Sequence, residues 1–201
     1  MVSKIDSKLT VKESIIIFSL EFKDELLEFT RNNVQKDCLP DQTLRFQRTR
    51  HEYLYLYLVE RRFRRNIPPY EIFFIPNGNG INLSVLAIMV DRNNLPTVLY
   101  LHGNGGHKME ALQLADHRIN LVSFDFSACG KSEGDYVTYG EREAKDVAAV
   151  VDELKRRYGI KKIIIWGRSM GASIGIMYAS LFPREVSCLV LDSPFRWLKE
   201  V

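Results

Sequence analysis

The chain has 201 residues, of which 46% are hydrophobic and 26% charged, with a formal net charge of +3. That length supports one domain with a sizeable core, and the composition excludes disordered and fibrous classes. A net charge this small gives no electrostatic case for nucleic acid as a partner.

Thr10-Val11-Lys12-Glu13 fits a capping box, and Ile15, Phe18, Phe22, Leu26 and Phe29 then fall at helical spacing. An amphipathic helix is expected over about 11–34. Residues 37–41, with Pro40, read as a connector, and Tyr53–Val59 is apolar throughout and compatible with either helix or strand. Arg61, Arg62, Arg64 and Arg65 follow. This cluster suits peripheral contact with an acidic membrane surface, although such runs are more often a solvated face.

Pro68-Pro69 marks a break, after which strands and helices alternate. Expected strands are Glu71–Ile75, Asn82–Val90, Thr97–Leu101, Ile119–Phe124, Lys161–Trp166 and Val186–Asp192. The first two flank turn residues Pro76 to Gly80. Expected helices are His107–Ala115, one opened by a Thr138/Glu141 capping box and closed at Gly159, and Met170–Leu181. This alternation predicts a mostly parallel sheet covered on both faces. Residues 1–69 are a helical extension and residues 70–201 the α/β core.

Cys38, Cys129 and Cys188 are odd in number and show no disulfide or zinc spacing, which favours a reducing, cytoplasmic setting. No secretory signal is expected, and the apolar runs fall short of the ~18–20 residues of a membrane span.

The chemistry centres on Gly167-Arg168-Ser169-Met170-Gly171, placed between an apolar strand and a helix. A nucleophilic serine must project from a tight, strained strand-to-helix turn. Side chains two residues either side would collide with neighbouring backbone, so Gly167 and Gly171 fit. The helix that follows aims its free N–H groups at the site. In acyl transfer the carbonyl oxygen becomes an anion and needs two preorganised N–H donors. Met170 would supply one. The loop His102-Gly103-Asn104-Gly105-Gly106 would supply the other, at Asn104.

Gly130-Lys131-Ser132 looks like part of a phosphate-binding loop, but Asp125 occupies the position where that loop requires glycine. Neither that loop nor a G-x-G-x-x-G dinucleotide motif is complete, so nucleotide binding is disfavoured.

Taken together, H-G-N-G-G from His102, D-F-S-A-C-G-K-S-E-G from Asp125, G-R-S-M-G from Gly167 and L-D-S-P-F from Leu191 resemble the α/β-hydrolase superfamily. The resemblance is to its serine aminopeptidase-like, hydrolase/lysophospholipase-like branch, and covers roughly 70–201. Ala128 departs from the pattern, standing where that branch usually has glycine. The resemblance implies hydrolysis of an ester, thioester or amide in a small-molecule or peptide acyl substrate. It implies an acyl-serine at Ser169, oxyanion N–H groups from Met170 and Asn104, and neither metal nor organic cofactor. His102 would support the oxyanion loop or simply be a satisfied core histidine.

Serine needs an adjacent base to act as nucleophile. In this fold the order is serine, acid, histidine, whereas His51, His102, His107 and His117 all precede Ser169. Asp192, at the end of the last strand, is a candidate acid, although the resembled branch usually takes its acid one strand later. The expectation is a core cut after its sixth strand, whose histidine lies past Val201, with little turnover of simple esters by these residues alone. The alternative is a non-catalytic binding protein derived from the same fold.

Overall fold

The computed structural model describes the backbone of Ile15–Ser19 and residues 67–195. The strands are β1 (Ile15–Ser19), β2 (Glu71–Pro76), β3 (Asn82–Ile88), β4 (Thr97–Leu101), β5 (Asn120–Phe124), β6 (Ile163–Arg168) and β7 (Val186–Asp192). They form one sheet in the order β1-β7-β6-β4-β5-β3-β2. The four central strands run parallel, while β3 is antiparallel to β5, β2 to β3 and β1 to β7. This is the mostly parallel, helix-covered architecture expected of an α/β-hydrolase core.

Every residue of β4 and β5 is buried, as strands covered on both faces require. On one face Leu99, Leu101, Val122, Phe124, Ile163 and Ile165 pack under helices α1 (Glu141–Tyr158) and α2 (Met170–Leu181). On the other, Leu86, Ile88, Val98, Tyr100 and Leu121 meet Met109, Ala111 and Leu112.

Three local expectations are corrected. Ile15–Ser19 is a strand rather than part of a helix over 11–34, paired with β7 from Ile15↔Asp192 to Ser19↔Cys188. β-branched residues in Ile15-Ile16-Ile17 favour extended backbone, and β7 without β1 would present unpaired N–H and C=O groups. The rest of that expected helix, residues 37–41, Tyr53–Val59 and the arginine cluster lie outside the described residues.

The segment after His107 is a 3-10 helix, Lys108–Leu114, with i→i+3 bonds such as Glu110 N–H to His107 O at 3.1 Å. At the start of α1 the capping carboxylate is Glu143, not Glu141. Because the helix begins at Glu141, Glu143 takes the third position and accepts the N–H groups of Thr138 and Gly140, each at 2.8 Å. Glu141 instead pairs with Lys145 on the surface. The expected C-cap holds, with Gly159 in left-handed geometry at φ 70°.

Candidate active site

The chain leaves β4 for β5 on one side and returns to β6 on the other, creating a crevice at the carboxyl ends of β4 and β6. Open α/β sheets bind ligands at such switch points. A cavity of about 380 Å³ lies there, lined by Gly103, Asn104, Gly105, Gly106, Glu110, Arg168 and Ser169.

Ser169 caps α2 with φ 49° and ψ −115°, a left-handed value that a residue with a Cβ adopts only at a cost. The turn is held from two sides. Ser169 N–H donates to the Asp192 carbonyl at 2.7 Å, and the Ser169 carbonyl accepts the N–H groups of Ala172 and Ser173. Gly171 is packed against the end of β4, where a Cβ would lie 2.1 Å from the Leu101 carbonyl oxygen. A Cβ on Gly167 would lie 2.5 Å from Ala172 Cα. Both glycines are therefore steric requirements of the bend. The same closeness brings the His102–Gly106 loop to the serine: a Cβ at Gly103 would be 3.5 Å from Ser169 Cβ.

His102 is fully buried. Its Nε2 accepts the Phe126 N–H at 3.2 Å, so Nδ1 carries the proton and donates to the Gly103 carbonyl at 2.8 Å. Burial, the largest influence, holds its pKa below the ordinary histidine value. His102 is thus a neutral brace for the glycine loop, and neither ring nitrogen is available to Ser169. Among the described residues no histidine lines the cavity.

Asp192 contributes its backbone carbonyl to the Ser169 turn. Its carboxylate accepts Ser193 Oγ at 2.9 Å and lies 3.8 Å from Arg168 Nε. The position is beside the elbow, but the contacts are those of a group that steadies Arg168 and the β7 end.

Sequence reasoning missed several groups that shape this end of the sheet. Asp125 is buried at the β5 end. Its carboxylate accepts the Lys108 N–H at 2.7 Å, the Lys131 N–H at 2.9 Å and the Lys108 ammonium at 2.8 Å, and both side chains are fully inaccessible. The Gly130–Ser132 loop is thus wrapped around an internal carboxylate, which already takes the Lys131 N–H.

Asp146 on α1 accepts Asn77 Nδ2, Ser127 N–H and Ser127 Oγ, tying the β2–β3 turn to the loop after β5. Burial raises its pKa above the ordinary carboxylate value despite those bonds. Tyr139, itself at φ 59°, sets its ring against Phe195. No spacing pattern signals these contacts, since each joins residues brought together only by the sheet. Ala128, by contrast, was legible as a departure. It sits at φ 66°, the conformation for which glycine is the usual choice.

Among the described residues no group of His, Cys, Asp and Glu is placed to hold a metal ion, and no helix is long and apolar enough to cross a membrane. The profile of the alpha/beta hydrolase fold family matches residues 96–200, which run from the residue before β4 through the elbow and past β7. The chain belongs to that family.

Similar hydrolase-fold proteins include lysophosphatidylserine lipase ABHD12 of Rattus norvegicus, 35% identical over 118 residues, covering 54% of this chain and 29% of that protein. The alpha/beta hydrolase domain-containing protein WAV2 of Arabidopsis thaliana is 28% identical over 136 residues, 63% of this chain and 43% of its own length. Among solved structures, the Pyrococcus furiosus esterase Pf2001 superposes with a TM-score of 0.55 at 26% identity, over 79% of this chain and 59% of the esterase. The chain spans less than half the length of those two curated relatives.

Proposed function

We propose that this α/β-hydrolase is a serine hydrolase that cleaves an ester, thioester or amide through an acyl-serine at Ser169. The observation that carries the reading is Ser169 itself, held at φ 49° on the β6–α2 turn and sharing one cavity with the His102–Gly106 loop. Relatives named as a lipase and an esterase support the same chemistry.

In this reading Ser169 Oγ attacks the substrate carbonyl carbon while a base takes its proton. The carbonyl π electrons move onto oxygen, and the backbone N–H groups of Met170 and Asn104 receive that charge. Collapse expels the alcohol, thiol or amine, which takes up the proton, and water then releases the acid by the same steps. His102 is not the base, because both its ring nitrogens are engaged in bracing the loop. Its part is to hold the Gly103 carbonyl through Nδ1–H and so fix the loop that carries Asn104.

A fluorophosphonate probe tests this directly. Ser169 is expected to be labelled slowly in the 201-residue chain and faster with added imidazole, which can serve as the base, with no labelling in Ser169→Ala. A folded chain that stays unlabelled with and without imidazole would overturn the catalytic reading and favour a binding role.

A further inference from the structure

One face of the sheet stays open at its β2 edge. Phe73 and Ile75 of β2 pack into the core beneath α1 and α2. Side chains alternate along a strand, so Ile72 and Phe74 point to the opposite face. They are 43% and 55% exposed, and Tyr70, just before β2, is 38% exposed. The neighbouring strand is covered on that same face. Leu86, paired with Ile72, and Ser84, paired with Phe74, are fully buried. The 3-10 helix Lys108–Leu114 lies against β3, β4 and β5. Beyond β3, three large apolar side chains are left facing outward.

An exposed apolar face of this kind marks a contact surface. The chain itself leads to it. Ile67 packs against Leu86, Ile88 and Val98, the cluster on the face that Ile72 and Phe74 share, and the buried Pro68 follows it. The residues before Ile67 therefore enter the described fold on this side of the sheet. Residues 60–66 separate Ile67 from Tyr53-Leu54-Tyr55-Leu56-Tyr57-Leu58-Val59, an uncharged apolar run. A link of that length reaches at most about 25 Å, and a strand the length of β2 spans about 20 Å, so the run can reach the whole open face. A tether so short holds it there at an effective concentration on the order of millimolar, far above that of a second copy in dilute solution. Its three tyrosines also suit the rim of a sheet, since each can lay its ring on apolar surface and keep its hydroxyl in water.

We propose that Tyr70, Ile72 and Phe74 form the docking surface for residues 53–59 of the same chain. The N-terminal extension is thereby fastened to the β2 edge, whatever the chemistry at Ser169.

Hydrogen exchange on the full chain, read by peptide mass spectrometry at low micromolar concentration, tests this. Amides of residues 53–59 are expected to exchange about tenfold or more slowly than in the free peptide. Ile72→Glu/Phe74→Glu, which alters only outward-facing side chains of β2, is expected to remove that protection and leave exchange in β4 and β5 unchanged. The converse variant, Leu54→Ser/Leu56→Ser/Leu58→Ser, leaves the described fold untouched and is expected to raise bis-ANS fluorescence as the β2 face is uncovered. Free-peptide exchange in wild type, protection that survives the β2 variant, or unchanged dye binding in the converse variant would each overturn the proposal. So would protection that appears only as the chain is concentrated and dimerises, which assigns the face to a second copy. Protection gained only with phosphatidylcholine/phosphatidylserine vesicles would assign it to a lipid surface and overturn it equally.

Discussion

Replacing Lys108 by Met isolates the strongest buried electrostatic contact in the described fold. Lys108 and Asp125 have no solvent exposure, and the ammonium sits 2.8 Å from Asp125 Oδ2. Methionine keeps most of the aliphatic stem, so packing changes little and the loss is one of charge. Asp125 would retain the N–H groups of Lys108 and Lys131, at 2.7 and 2.9 Å, but two neutral donors do not balance a buried carboxylate. Breaking a buried pair from one side costs about 3–5 kcal/mol. For a chain of this size that corresponds to a melting temperature lower by roughly 6–20 °C.

The double variant Lys108→Met/Asp125→Asn should cost less than the sum of the single changes. It removes both charges and leaves one backbone N–H facing an amide instead of an acceptor, a loss of about 1–3 kcal/mol. Urea denaturation followed by circular dichroism measures all the variants. A Lys108→Met protein within about 1 kcal/mol of wild type would show that Asp125 tolerates the loss of its partner, refuting the reasoning.

Gly171→Ala would press a Cβ onto the Leu101 and His102 carbonyls, at 2.1 and 2.7 Å, where no side-chain rotation can relieve it. A loss of about 1–3 kcal/mol or more is expected, with Ser169 labelling abolished, and an unchanged melting temperature would contradict so tight a bend. Because burial lowers the His102 pKa, the unfolded chain binds a proton below about pH 6.5 that the folded chain refuses. The stability His102 confers is therefore present above that pH and lost as pH falls. Wild type should lose stability more steeply than His102→Asn between pH 7 and 5, and parallel profiles would exclude a neutral His102. Cys129 is buried and its thiol is pushed up to about 12, chiefly by desolvation. It should resist iodoacetamide at pH 8 until the chain unfolds, and peptide mass spectrometry would reveal any modification of the native state.

How much of this was legible in the sequence varies with the range of the interactions. Residues 71–192 declared their strands and helices because periodicity, turn residues and caps act within a few positions. The elbow was equally local: a serine between glycines, after I-I-I-W and before a helix, implies the bend found at φ 49°. The same short-range reasoning failed at Ile15–Ser19. Its apolar positions satisfied a helical period, but the fate of the segment was set by pairing with β7, more than 160 residues away.

The site divides along the same line. Sequence alone pointed to the family through the resemblance of its motifs, and it placed Ser169 on a glycine-flanked turn beside the glycine loop, because such turns follow from bonds and clashes between near neighbours. Only the tertiary structure decided that His102 is a brace, that Asp125 is neutralised by Lys108, that Tyr139 packs on Phe195 and that Glu110 shares the cavity with Ser169. Those contacts join separate strand ends, and their protonation and charge depend on burial. Burial is a property of the packed sheet and of no single segment.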